Sequence, residues 1–282
     1  MSRLSNSWRL VKASWAVLRS DKELIIFPIV SGIATLIVFA LFAVPLWISG
    51  YFDRLEENAN GAKVSGFIVL FAMYVVLYTI INYCNAALVG AALIRLGGGD
   101  PTARDGFKIA RQHMGPIVGY ALIGATVGVA LQALRERAGF LGQLVAWLGQ
   151  TAWNITTFLV IPVLVVEGIG PIEAVKRSAS LLKRTWGEQI VGNAGIGLVF
   201  GLIAVGALLA GGALVVAAAA AGVLALIVLA VLIAAAAFAA IIAVGAALKG
   251  IFTAALYRYA AEGQTDSYFA SDLVQSAFSP KR

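Results

Sequence analysis

The chain has 282 residues, 61% of them hydrophobic and 12% charged, with a mean hydropathy of +0.91. That is more apolar surface than one water-soluble core can hide, so the composition excludes a soluble domain and makes lipid the solvent. The net charge of +7 sits on residues that flank apolar runs and form no single stripe. This argues against nucleic acid and for anionic headgroups, where each basic residue near the surface contributes ~1 kcal/mol.

In chain order, Ser7 to Arg19 reads as an amphipathic surface helix. Trp8, Val11, Trp15 and Leu18 lie on one face, with Arg9, Lys12 and Arg19 on the other. A first span follows at about 24–48, with Pro28 and Pro45 near its ends, and it reads as a retained span, not a signal peptide. A polar loop with Asp53, Arg54, Glu56, Glu57 and Lys63 leads into a second span at about 64–94. Arg95, Gly97 to Gly99, Asp100 and Pro101 stop that helix. Thr102 to Met114 is a further surface segment, its stripe Phe107, Ala110, Met114 and Ile117 opposed by Lys108, Arg111 and Gln112.

A third span is expected at about 115–134 and a fourth at about 140–166. Between apolar blocks lies a third surface helix. Its stripe is Ile172, Val175, Ala179, Leu182 and Trp186, and Glu173, Lys176, Arg177, Lys183 and Arg184 face the other way. The uncharged block from Gln189 to Leu248 is long enough for two tilted spans, with Gly211, Gly212 and Gly222 marking the turn region.

Charge decides the topology. With six spans, 17 of the Lys and Arg residues fall on one side and only Arg54, Lys63, Arg135 and Arg137 on the other. The positive-inside rule then places both termini in the cytoplasm. The fold class is therefore all-α: a polytopic membrane protein with six transmembrane helices and cytoplasmic amphipathic surface helices. The three surface helices align on their stripes, with Lys12, Arg111 and Lys176 in register. The chain divides into three helix-plus-hairpin units at 1–94, 95–166 and 167–260, with a tail at 261–282, all in one membrane domain.

Asn82, Asn85 and Asn154 lie within spans and must find partners away from lipid. They support either interhelical hydrogen bonds or a polar cavity for a lipid headgroup or small solute. No HExxH, CxxC, GxSxG or phosphate-loop pattern occurs, so no catalytic, cofactor or metal residues are assigned. Glu167 is expected to pair with Arg177 or a helix N-terminus. Candidate headgroup contacts are Arg9, Lys12, Lys108, Arg111, Lys176, Arg177, Lys183 and Arg184. The expected partners are anionic membrane lipids, and a protein partner or a second copy. The expected role is non-enzymatic, structural or regulatory, with a carrier of lipid or small amphiphiles as the alternative.

The segments NSWRLVKASWAVLRSDKELIIFP, NAALVGAALIRLGGGDPTARDGFKIA and PVLVVEGIGPIEAVKRSASLLKRTWG resemble an uncharacterised prokaryotic family of multi-pass membrane proteins. The third is also similar to the membrane domain found with some glycerophosphodiester phosphodiesterases, at Pro162, Glu167, Gly168, Ala174, Lys176, Arg177 and Ser178. The resemblance implies a six-helix protein of the plasma membrane and supplies no substrate. The phosphodiesterase barrel itself is absent from this sequence.

Overall fold

The computed structural model describes residues 3–51, 60–137, 139–186, 195–265, 267–269 and 274. Asp53, Arg54, Glu56 and Glu57 of the first loop, the stretch 189–193, and Lys281 and Arg282 lie outside the described residues. The described chain is helical throughout. α1 (Arg3–Ser20) leads through a 3-10 turn (Lys22–Ile25) to α2 (Ile26–Ile48), then α3 (Asn60–Leu96) and the short α4 (Ala103–Gln112). There follow α5 (Met114–Arg137), α6 (Gly139–Thr156), α7 (Val160–Glu167), α8 (Pro171–Trp186), α9 (Gly195–Ala220) and α10 (Leu224–Glu262).

Among the described residues six helical segments are long and apolar enough to cross a membrane: 22–48, 66–96, 114–136, 141–167, 200–220 and 224–262. The first four expected spans agree within a few residues, and the last helix runs past the expected block to Glu262. The fourth consists of two helices, α6 and α7, with a turn at residues 157–159 between them. The last hairpin turns only at Gly222, whose φ of +67° suits a residue without Cβ. Gly211 and Gly212 stay inside α9, and a Cβ on Gly211 would stand 2.9 Å from that of Ala234.

The molecule has two zones. Large apolar side chains are exposed along all of α2, along α3 from Phe67 to Ile81, along α6 from Leu141 to Leu148, along α9 from Leu202 to Val216, and along α10 from Leu224 to Ile242. The α10 stretch is about 28 Å long at 1.5 Å per residue, close to a hydrocarbon layer of ~30 Å. This is the lipid-facing belt. Beyond it α3 and α10 continue into a compact end where Ala86 to Ala92, Leu159 to Val165 and Ala247 to Leu256 form one core with α1, α4 and α8. The sequence changes character there. Phe67 to Ile81 is rich in large side chains, whereas Ala86, Ala87, Gly90, Ala91 and Ala92 are small and let other backbones come close.

The surface helices lie on this core, and their apolar residues divide between two environments. α1 buries Leu10, Val11, Ser14, Val17 and Leu18 against α9 and α10, while Trp8 and Trp15 stay 49% and 48% exposed. α8 buries Ala174, Ser178, Leu181 and Leu182 against α5, α6, α7 and α10, and Ile172 is 55% exposed. The stripes read from periodicity are thus split: Val11, Leu18 and Leu182 point inward, while Trp8, Trp15 and Ile172 point outward. A 3.6-residue period marks an apolar arc but does not say which part of it meets protein and which meets headgroups.

α4 is the most tightly held. Thr102 and Asp105 form a reciprocal capping box at its start, and the Glu23 carboxylate accepts from the Ala103 N–H. Phe27 meets Phe107 edge-on at 5.0 Å, and Tyr83 stacks on Phe107 at 6.1 Å. Gly106 is where α4 touches α3: a Cβ there would stand 2.6 Å from the Ala87 carbonyl oxygen and 2.4 Å from Phe27 Cζ. Because backbone cannot yield as a side chain can, Gly106→Ala should destabilise the protein by ~1–3 kcal/mol. It should lower the melting temperature in detergent by several degrees, whereas Gly115→Ala, with nothing within 4 Å, should leave it within about a degree.

Candidate functional site

In the fourth span the backbone departs from regularity at residues 157–159, and Pro162 follows in the first turn of the new helix. Proline lacks an N–H and its ring clashes with the carbonyl four residues back, so it is tolerated in the first turn of a helix and disruptive further in. It stands third in α7. Leading into the turn, Thr151 and Thr156, and Thr157 at its first position, donate their hydroxyls to the carbonyls of Trp147, Ala152 and Trp153, a bonding pattern that bends helices.

The interruption frees the Leu159 N–H inside the core, and Ser178 of α8 supplies its acceptor. The N–H donates to Oγ at 3.0 Å, and both residues are 0% exposed. α7 ends at Gly168, whose φ of +64° reverses the chain, and Pro171 opens α8 at a position where no N–H is needed. Glu167 accepts from Arg177 Nε at 3.0 and 3.1 Å and from the Tyr257 hydroxyl at 3.2 Å, joining α7, α8 and α10. Both members of the Glu167–Arg177 pair are partly solvated, which limits it to ~1 kcal/mol. Arg184 Nη2 donates to the Ala260 carbonyl at 3.2 Å and ties the far end of α8 to α10. An open cleft of about 680 Å³ lies between these two helix ends, lined by Arg184, Thr185, Tyr259, Glu262 and Thr265.

A second polar corner joins α1, α3 and α4. Arg95 donates to Ser20 Oγ at 3.3 Å and pairs with Asp100 at 3.1 Å. Asp21 Oδ1 accepts from the Glu23 N–H at 3.1 Å and starts the 3-10 turn. Burial pushes the Asp21 carboxyl above its ordinary range, with the Glu23 N–H and Arg95 acting the other way. The Thr102 hydroxyl and N–H hold the Asp105 carboxyl below the ordinary range.

The structure does not bring the three asparagines together. Asn82 is 5% exposed and donates to the Tyr78 carbonyl of its own helix at 2.7 Å. Asn85 is half-buried and faces Gly250 of α10. Asn154 is exposed and accepts from Gln150 at 2.9 Å. Of the basic residues, Arg9, Lys12, Lys108, Arg111, Lys176, Lys183 and Arg184 are exposed, and Lys12 Nζ stands 6.0 Å from the Trp8 ring. Arg177 is the exception, since Glu167 holds it. His113, at the joint between α4 and α5, has Nδ1 at 2.9 Å from the Ile109 carbonyl oxygen.

Periodicity does not single out Ser178, because a serine next to basic residues reads as part of a solvated face. The signal that could have found it is Pro162, which is compatible with a helix start just before it and so with an N–H in need of an acceptor. Ser178→Ala should leave the Leu159 N–H buried and unpaired at a cost of ~1–3 kcal/mol. Thermal unfolding in detergent checks this: Ser178→Ala should melt several degrees below the wild type, and Ser180→Ala, at an exposed position, should not.

The sequence pattern of a family of unknown function, DUF6159, matches residues 64–267, from inside α3 to just past α10, and the chain belongs to that family. No curated protein matches the chain.

Proposed function

We propose that this member of a family of unknown function is a non-enzymatic protein of a prokaryotic plasma membrane, with both termini cytoplasmic, that presents three amphipathic helices to anionic lipid. One observation carries the reading. α1, α4 and α8 are each anchored by a buried inner face, so the backbone positions that carry their outward Lys and Arg residues are fixed at the end of the lipid belt. Trp8 and Trp15, half-exposed beside Lys12, suit the headgroup layer. The same platform suits a protein partner or a second copy, and it offers no stripe of the kind that binds nucleic acid.

The similarity to the membrane domain found with glycerophosphodiester phosphodiesterases belongs to this proposal too. In this chain its residues are occupied in architecture: Pro162 breaks the span, Gly168 turns the chain, Glu167 holds Arg177 and Ser178 satisfies Leu159. The shared feature is then a structural corner. A carrier would need Asn82, Asn85 and Asn154 to line a common path, and their placement gives that reading no support.

Replacing Lys108, Arg111, Lys176 and Lys183 with Gln removes outward charge without touching a buried contact. The anionic share of the phospholipid that copurifies in mild detergent should fall several-fold relative to zwitterionic lipid. An unchanged ratio would contradict the proposal.

A further inference from the structure

Burial and helix starts give the surface helices a register that their apolar stripes do not. The first helical residues of α4 and α8 are Ala103 and Pro171. With these equivalent, Gly106-Phe107-Lys108-Ile109-Ala110 matches Ala174-Val175-Lys176-Arg177-Ser178, and the burial pattern of α1 adds Leu10-Val11-Lys12-Ala13-Ser14. The outer positions of the five are buried in all three: Leu10, Gly106 and Ala174 at the first, Ser14, Ala110 and Ser178 at the fifth. The middle position is an exposed lysine in all three. The counterpart of Lys12 and Lys176 is therefore Lys108, not Arg111, which stands three residues on.

The docking is equivalent as well. α4 sits on α3, with Phe27 at the start of α2 against its Phe107. α8 sits on α5, α6 and α7 and also on α10, and α1 sits on α9 and α10. α4 and α8 thus each lie on the spans before them, with α8 reaching the last span as well, and α1 lies on the last pair. Each outward stripe continues around its lysine: Trp8, Lys12, Trp15 and Arg19 on α1; Arg104, Lys108 and Arg111 on α4; Ile172, Lys176, Ala179 and Lys183 on α8. Their spacing keeps them on one side of a helix.

We infer that the protein carries three equivalent sites for the phosphate of an anionic phospholipid, centred on Lys12, Lys108 and Lys176, one at each surface helix. The inference rests on the proposed headgroup role and adds to it a number, a register and a residue for each site. The match is one of charge: at α1 the Trp8 ring stands 6.0 Å from Lys12 Nζ, on α4 Arg104 and Arg111 flank Lys108 with the Asp105 carboxylate close to Arg104 and Lys108, and on α8 Lys183 lies two turns beyond Lys176 with Glu173 three residues before it. Anchoring on the core costs the site little ordering on binding, because the helix is already fixed.

Native mass spectrometry of the full chain in mild detergent, titrated with phosphatidylglycerol and in parallel with phosphatidylethanolamine, tests this. The wild type should take up phosphatidylglycerol in three tight steps. Lys12→Gln, Lys108→Gln and Lys176→Gln should each weaken one step about fivefold and leave the others, while Arg111→Gln keeps all three. The triple variant should weaken all three with an unchanged melting temperature. Three intact steps in the triple variant, or loss of the second site through Arg111 and not Lys108, would overturn the inference. If a variant with every stripe Lys and Arg replaced by Gln still prefers phosphatidylglycerol, the headgroup role itself fails. If that preference is lost only in this fuller variant, the role stands and the three-site register fails.

Discussion

A backbone N–H that leaves a helix inside an apolar core must find an acceptor, and the hydrogen bond from Leu159 to Ser178 meets that constraint. Much of the compact end follows from it. Pro162 fits the first turn of the helix that restarts after the interruption, and here the acceptor comes from another helix. Serine on α8 fixes that helix against α7, which places Leu181 and Leu182 in the core and brings Arg177 to Glu167. Burying those two leucines is worth ~1.5–3 kcal/mol each, more than the partly solvated ion pair contributes. The polar contacts therefore set the orientation, and the apolar residues supply most of the free energy.

The second organising factor is side-chain size. Within the lipid belt, unlike at the compact end, apolar burial does not drive helices together, so association there depends on packing and on backbone approach at small residues. The large residues of α2 and of the first half of α3 stay at the surface, where lipid contacts them. The run Ala86 to Ala92 is small enough for α4 to reach the α3 backbone at Gly106 and for α10 to reach Leu88 at Gly250. A long helix such as α10 can serve both zones, because its Leu224 to Ile242 stretch already crosses the hydrocarbon layer and the remainder is free to build the core.

The six spans are legible in the sequence because their length and hydropathy are set by the bilayer. The helix stop at Gly97 to Gly99 is legible, and Gly222 falls within the expected turn region although Gly211 and Gly212 do not turn. The outward basic faces of α4 and α8 are legible too, since charge avoids a core. Three features are not. The interrupted fourth span is hidden by its uniform apolar character, although Pro162 marks the place. The orientation of α1 is hidden because Leu10 and Trp15 count alike in a hydrophobic period, while one is buried against protein and the other is exposed. The environments of Asn82 and Asn154 are hidden because an asparagine can bond to its own helix as easily as to a neighbour, and both sit beside such a partner four residues away.

The central claim is that the amphipathic helices are built into the protein core and do not merely rest on lipid. Hydrogen exchange measured by mass spectrometry on the protein in lipid nanodiscs addresses it directly. The account predicts that amides of Leu10 to Leu18, Gly106 to Ala110 and Ala174 to Leu182 exchange as slowly as those of Ala86 to Ala92 and Leu159 to Val165. Exchange of the three surface helices within seconds, while the core stretches stay protected, would contradict it.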